Sequence, residues 1–356
     1  MIKGLPEPPE GKKGWPWTVP ESLKGKRITE SRDMPLVSLI TPSFNQSRFL
    51  EETIRSVLLQ GYPSLEYIII DGMSTDGSVE IIKKYAGHFS YWASEPDKGH
   101  ADAVNKGWRI AKGEFVTWLN SDDFLYPRSL ETTVNTLKKN PDIHVCYGDA
   151  ARVNERSQLC DCDFRGGDFS LKDMLVFWKN PVPQPGFLMR RSVIDQIGFL
   201  DESYSFAFDF EYWMRMAVHD MKGTYIPQRL AAFRTHMDAK TYKEQDVRIK
   251  DRFGLYEQYF QDERISREFR KKYRQKSKNK LYLNAADIFY KREEPQKLKK
   301  YALQGLQESK WNLPAYVYLC AAFFGKKGIS AAKKMYGFMK SLCFRRKPKK
   351  QKGTGS

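Results

Sequence analysis

The chain has 356 residues, 41% of them hydrophobic and 14% aromatic, and a net charge of +17. That is enough apolar material for one large core or two ordinary ones. No apolar run approaches the ~20 residues that cross a bilayer, so a membrane-spanning protein is not expected. No disulfide framework or zinc spacing emerges from Cys146, Cys160, Cys162, Cys320 and Cys343, so reduced thiols are expected.

The first residues, "MIKGLPEPPEGKKGWPWTVP", contain no apolar leader. Residues 1–34, rich in Pro and Gly, form an arm that Trp15 and Trp17 are expected to dock on the body. "LVSLI" then predicts a short buried strand. In "SRFLEETIRSVLLQG", Leu50, Ile54, Val57 and Leu58 share a helical face, and Gly61 ends the helix. "LEYIIID" is a second strand, "GSVEIIKKYAG" a second helix and "HFSYWAS" a short third strand. "ADAVNKGWRIAKG" is a helix closed by Gly113, and "EFVTWLNSDD" a fourth strand. "PRSLETTVNTLKKNP" opens with Pro127 near its first turn, where a missing N–H costs little. "DIHVCYGDAARV" is a further strand. Later come a strand and helix in "PQPGFLMRRSVIDQIG", a helix in "FAFDFEYWMRMAVHD" and a strand in "GTYIPQRLAAFRTH". Beyond about Val247 only helix is expected, with "NKLYLNAADIFYK" and "PQKLKKYALQGLQE" able to pair as a hairpin.

Strands alternating with helices at this spacing imply an α/β fold, a mostly parallel sheet flanked by helices. In such sheets a ligand sits beyond the carboxyl ends of the strands, where strand order reverses. The residues just past the strands do look like one site. Thr41, Pro42, Ser43 and Asn45 follow the first strand and Asp71 the second. Ser94, Glu95, Asp97 and Lys98 follow the third, and Asn120, Ser121, Asp122 and Asp123 the fourth. Neither a P-loop nor a GxGxxG turn is present, which argues against a nicotinamide enzyme. Two adjacent carboxylates repel, and burial makes each ionised form costlier. A Mg²⁺ or Mn²⁺ ion would resolve that conflict and could hold a diphosphate. The motif alone equally suits a capping turn, since Asn, Ser and Asp all favour caps. Convergence of the other strand ends favours the metal. Asp71 before Gly72 is an ordinary turn pair or a carboxylate placed to accept from a base. "DKGHADAVNKG", from Lys98 past Asn105, is plain helix-start chemistry or a charge and N–H groups offered to donor phosphates or sugar.

"VSLITPSFNQSRFLEETIRSVLLQGYPSLEYIIIDGMSTDGS", "SEPDKGHADAVNKGWRIAKGE" and "WLNSDD" together resemble the family 2 glycosyltransferases, inverting enzymes of the Rossmann-like GT-A fold. The likeness runs from about Pro35 to Thr241, with its motifs in order. It implies a nucleotide-diphosphate-sugar donor (UDP-, GDP- or TDP-linked) and a divalent metal, Mn²⁺ or Mg²⁺. On that likeness Thr41, Pro42 and Ser43 line the nucleotide pocket, with Asn45, Lys98 and Asn105 counted as donor-binding, and Asp71 meets the base or ribose. Asn120, Ser121 and Asp122 occupy the family's Asp-x-Asp motif with Asn in first place, which leaves open whether Asp122 or Asp123 ligates the metal. The family's base is an Asp opening a helix, as Asp209 does in "DFEYWMR"; without the likeness it is an acid favouring the helix dipole. His236 would complete the metal shell or touch the diphosphate, with Arg234 near. Gln184 to Arg191 resemble the acceptor-side segment, or are a strand with Pro-imposed turns. Glu211 and Arg215 are expected as an i,i+4 surface pair, and Trp118 and Trp178 as core residues before sugar platforms.

These readings divide the chain into an arm (1–34), a GT-A domain (35–245), a helical C-terminal region (246–345) and a disordered basic tail (346–356). From Glu263 to Ser356 there are 26 Lys and Arg against 6 Asp and Glu; the rest of the chain has 34 against 37. So basic an extension needs an anionic partner or serves solubility. No helix-turn-helix, zinc-finger or RNA-binding pattern accompanies it, so nucleic acid is the weaker alternative. A sugar-nucleotide-binding or nucleotidyltransferase protein of the same fold is another, but it lacks a basic glycine-rich loop after the first strand. The favoured function is transfer of a sugar to a glycan or lipid-linked acceptor in surface polysaccharide or lipopolysaccharide assembly. The expected place is the cytoplasm, with the tail on the inner face of an anionic membrane. Met335, Phe338, Met339 and Leu342, beside Lys333, Lys334, Lys340 and Arg345, have the spacing of an interfacial helix.

Overall fold

Val37–Ser43 is buried at every position and forms β1, the strand around which the others assemble. Burial on both faces leaves it no solvent-facing positions, and its polar members Ser38 and Thr41 find partners in Glu66 and the Tyr67 hydroxyl. The computed structural model describes residues 4–20, 34–330 and 333. The chain divides into two units, Met1–Ile265 and Ser266–Ser356.

In the first unit β1 leads into α1 (Ser47–Leu58), β2 (Leu65–Asp71), α2 (Ser78–Lys84), β3 (Tyr91–Ser94), α3 (His100–Ile110) and β4 (Phe115–Trp118). Then follow β5 (Phe124–Leu125), α4 (Ser129–Lys139), β6 (Val145–Val153), α5 (Leu171–Phe177), β7 (Phe187–Arg190) and α6 (Ser192–Ile197). The unit ends with α7 (Phe208–Val218), β8 (Gly223–Arg234), α8 (Lys240–Lys243) and α9 (Gln245–Gln261). The sheet runs β3-β2-β1-β4-β7-β6-β8-β5. β1, β2, β3 and β4 are parallel, as are β6 and β8, while β7 is antiparallel to both neighbours and β5 to β8. This is the mixed, mostly parallel sheet of the GT-A fold.

Strand order reverses at β1, which lies between β2 and β4. Register brings Ser43, Asp71 and Ser94 level at the carboxyl ends, with Ile40 opposite Trp118. Leu50, Ile54, Val57 and Leu58 of α1 pack with Val37, Leu39, Tyr67, Ile69 and Phe115 in the main core. A Cβ at Gly107 would lie 2.6 Å from Ile40, so only glycine lets α3 approach β1 this closely. That approach sets the N-terminus of α3 beside the strand ends.

The fourth strand stops at Trp118, short of the expected Asp123. Asn120 to Asp123 turn instead, with the Asp123 N–H donating to the Asn120 carbonyl at 3.1 Å. The chain then adds β5, only two residues long and paired with β8. α5 lay in no expected element; Ser170 Oγ caps it by accepting from the Asp173 N–H. α9 belongs with the sheet rather than with the helices that follow.

The arm docks on its own chain. Trp15 Nε1 donates to the Leu125 carbonyl at 2.6 Å. Buried Arg55 donates to the carbonyls of Pro6 at 2.6 Å, Pro16 at 3.4 Å and Trp17 at 3.2 Å.

In the second unit, α10 (Arg267–Arg292), α11 (Pro295–Glu308) and α12 (Leu313–Phe323) bury Leu281, Ala285, Phe289, Leu298, Ala302 and Ala315. Phe289 stacks on Tyr301 with ring centres 5.5 Å apart, joining the two helices expected as a hairpin. Among the described residues no helix is long and apolar enough to cross a membrane, and Cys146, Cys160, Cys162 and Cys320 are free. The expected interfacial helix at Met335–Leu342, the tail from 346 and Cys343 lie outside the described residues.

Candidate active site

A cavity of about 990 Å³ opens at the carboxyl ends of the central strands. Pro42 and Ser43 at the end of β1, and Asn45 just beyond, form one side. Asn120, Ser121 and Asp122 after β4 form the floor, with His236 beyond β8 and Asp209 in the first turn of α7. Eight of the candidate residues therefore share one space.

The other five sit behind it. Thr41 Oγ1 meets the Tyr67 hydroxyl at 3.1 Å, facing the core. Asp71 is buried and accepts from the Ser74 N–H at 2.9 Å, Ser74 Oγ at 2.6 Å and Ser94 Oγ at 2.7 Å. Lys98 lies outside the wall, and its N–H donates to Asp102 at 3.0 Å. Both ends of the Asn105 amide bond the Leu200 backbone at 3.0 Å, tying α3 to the segment before α7. Asp123 is buried, with Oδ1 accepting from the Arg234 N–H at 2.9 Å.

The adjacent carboxylates thus point apart. Burial, and then the charge of Asp122, push the Asp123 carboxyl well above its ordinary range. Asp122 keeps its side chain at the cavity, where Oδ2 lies 3.0 Å from His236 Nε2. Arg234 fixes the turn beneath: its side chain donates to the Asp122 carbonyl at 2.7 Å and to Glu52 Oε2 at 3.0 Å. Both partners of that ion pair are buried, so neither can be lost cheaply.

Five polar atoms of wall residues are buried without a hydrogen-bond partner among the described residues: Ser43 Oγ, His100 Nε2, Trp118 Nε1, Asn120 Oδ1 and His236 Nδ1. Buried polar groups are normally paired, so this concentration marks where a polar ligand is met. His100, which opens α3, is held neutral: burial first, then the charge of Lys240, lower its pKa to about 4. No group of three or more His, Cys, Asp or Glu is arranged to hold a metal among the described residues. The expected trio of Asp122, Asp123 and His236 is not assembled, because Asp123 turns inward. Asp122 Oδ2 and His236 Nε2 are hydrogen-bonded to each other at 3.0 Å. They are an oxygen and a nitrogen donor of the kinds that suit Mn²⁺ or Mg²⁺, an ion that commonly takes the rest of its shell from water and phosphate.

At the other end of the cavity Asp209 Oδ1 accepts from the Phe210 N–H at 2.7 Å. Burial raises its pKa to about 6, against the pull of that hydrogen bond and of Arg252 and Arg248. Wall residues outside the expected set include Phe44, Asp97, His100, Arg248 and Arg252. Gly72 passes so close to Asp97 that a Cβ would lie 2.5 Å from its carboxylate. Asp97, not Lys98, is therefore the residue of the third loop that faces inward. The motif "DKGH" held that signal, with His100 two residues after Lys98.

Glu211 and Arg215 do pair, at 2.7 Å, but Glu211 is buried and Arg215 half-buried rather than on the surface. Tyr259 of α9 covers it and donates to Glu211 Oε1 at 3.0 Å. Trp118 is fully buried and packs with Phe187 and Trp213, at ring separations of 4.6 Å and 5.9 Å. Trp178 is buried against Phe210.

Fold and cavity together define an α/β protein with a polar ligand site at the strand ends, and comparison with known proteins narrows that. The family model for glycosyl transferase family 2 matches residues 38–198. An uncharacterized glycosyltransferase of Mycobacterium tuberculosis is 34% identical over 188 residues, which cover 52% of this chain and 70% of the relative. One from Rickettsia prowazekii is 30% identical over 187 residues, 51% of this chain; the match spans only 58% of the relative's length. The chain belongs to glycosyl transferase family 2. Among solved structures, Staphylococcus aureus TarS 1–349 in complex with UDP-GlcNAc superposes with a TM-score of 0.56 at 15% identity, covering 77% of this chain and 81% of that one. The mannosyltransferase PcManGT of Pyrobaculum calidifontis, in complex with GDP-Man and Mn²⁺, gives 0.54 at 18% identity, covering 81% and 79%. At these identities the likeness is one of fold.

Proposed function

We propose that this protein is an inverting glycosyltransferase that moves a sugar from a nucleotide diphosphate to a hydroxyl of a glycan or lipid-linked acceptor. The observation that carries this is the occupancy of one cavity by two unlike acidic sites, Asp122 with His236 and Asp209 with its raised pKa. The neighbours' complexes with UDP-GlcNAc and GDP-Man favour a nucleotide-sugar donor.

In this reading Pro42, Ser43 and Asn45 border the nucleotide, and Asn120, Ser121 and Asp122 the diphosphate and sugar. Thr41, Asp71, Lys98 and Asn105 act from behind the wall, holding the strand ends and α3 in register. Asp122 and His236 would hold Mn²⁺ or Mg²⁺, with Asp123 supporting the turn from beneath. A bound cation would neutralise charge on the departing diphosphate. The acceptor oxygen attacks the anomeric carbon as the bond to the phosphate oxygen breaks, and Asp209 takes the hydroxyl proton. A single displacement inverts the anomeric configuration.

The pathway we favour is surface polysaccharide or lipopolysaccharide assembly, with the basic extension against an anionic inner membrane face. Flotation with anionic vesicles should capture the full chain at low salt; no capture would remove the membrane from the account.

A screen of UDP-, GDP- and TDP-sugars with Mn²⁺ should find one whose nucleotide diphosphate is released. Asp209→Asn should cut that turnover by about 10²–10⁴, the usual worth of a general base. An Asp209→Asn variant with normal turnover would remove Asp209 from this role.

A further inference from the structure

The cavity has a second charged wall, distinct from the one around Asp122. α9 contributes Arg248 and Arg252, four residues apart on one helical face, and both line the cavity. Each guanidinium lies over an aromatic ring, Arg248 over Phe206 and Arg252 over Phe210, with Cζ 5.7 Å from the ring centre in both cases. Stacking of this kind orients a guanidinium while leaving its N–H groups free to grip a planar or tetrahedral oxyanion. Among the described residues neither arginine forms a salt bridge, and Arg248 Nη1 makes only a long contact of 3.5 Å with Gln245 Oε1.

The two crowd each other. Burial, then the like charge of Arg248, lower Arg252 to about 9, and burial also lowers Arg248. The one carboxylate that acts on both is Asp209. Two cations against one acid leave this wall with an excess of positive charge. Holding that excess in a half-buried position is costly, and an incoming anion would relieve the cost. Asp122 has its own polar neighbours, His236 at 3.0 Å and His100, with the charge of Lys240 also acting on His100.

We propose that the acceptor is anionic, and that Arg248 and Arg252 grip a phosphate or carboxylate carried close to the hydroxyl under attack. This rests on the glycosyl-transfer reading and deepens it by naming the acceptor's chemistry. With its anion held by the pair, the acceptor is tethered beside Asp209, the group that takes its proton. Neutralising the arginines also withdraws the positive field that keeps Asp209 acidic, making it a stronger base once the acceptor is in place.

Calorimetric titration of the full chain with simple probes tests this. Glycerol 3-phosphate and glucuronate are the anionic probes, glycerol and glucose their neutral counterparts, and UDP, GDP and TDP with Mn²⁺ report donor binding. Saturable binding of either anionic probe, absent for its neutral counterpart, is expected, and which one binds separates phosphate from carboxylate. R248Q/R252Q should weaken that binding at least about tenfold, the scale of losing one charge-assisted hydrogen bond, while nucleotide affinity stays within about threefold. R248K/R252K should keep part of the binding, and serves as the test if the Gln variant proves unfolded by circular dichroism. Anionic probes that bind no better than neutral ones would overturn the proposal. So would a parallel loss of nucleotide affinity, which would put the pair on the donor diphosphate. If the wild-type chain binds none of UDP, GDP and TDP, the glycosyl-transfer reading itself fails, whatever the anionic probes do.

Discussion

Asp209 carries a conflict that can be measured without knowing the substrate. Its folded pKa of about 6 lies above the ordinary 3.8. A carboxyl raised in this way is harmless when protonated and destabilises the fold once ionised. The penalty should therefore be absent below about pH 4, grow up to about pH 6 and stay level above it. Asp209→Asn removes the charge and keeps the shape. Denaturant unfolding should show the variant more stable than the wild type by roughly 1–3 kcal/mol at pH 7, with little difference at pH 4. A variant less stable at pH 7 would mean that the carboxylate is paired more favourably than its surroundings indicate. The role of Asp209 as base came from family likeness, because an Asp opening a helix is common. Its raised pKa was not legible, because burial causes it, and burial depends on segments that are distant in the sequence.

Among elements, β1, β2, β3 and their helices were legible because each apolar run is bounded by turn residues and both faces of the central strands are covered. The strand ends were legible as a site for the same reason. Elements that exist through distant partners were not. β5 is a strand only because β8 pairs with it, more than 100 residues away. Glu211 is buried only because Tyr259 covers it, so i,i+4 spacing alone placed the pair on the surface. The arm is the same kind of case: its tryptophans pointed to docking, but the anchor is Arg55 on α1. Arg55→Ala would leave the arm's carbonyls unmatched. Limited proteolysis should then cut within residues 4–20 faster than in the wild type, with a stability loss of about 1–3 kcal/mol. Unchanged cleavage would show that Trp15 and Trp17 hold the arm by themselves.

Across the whole molecule, charge and chemistry are divided between the two units. The first is close to neutral and contains the cavity; the basic excess begins at Glu263, near the junction at Ile265. Composition made that division visible, but not which helix belongs to which unit, since α9 is as helical as its successors and only packing separates them. In the proposed reading, Asp122 at the turn after β4 and His236 beyond β8 would hold a divalent cation against the diphosphate of the donor. Calorimetric titration of UDP, GDP and TDP into wild type and Asp122→Ala, with Mn²⁺ or with EDTA, tests it most directly. At least one nucleotide should bind the wild type about tenfold or more tightly with Mn²⁺, and Asp122→Ala should abolish that gain. Equal affinity with and without the ion, or a gain that survives in Asp122→Ala, would contradict it.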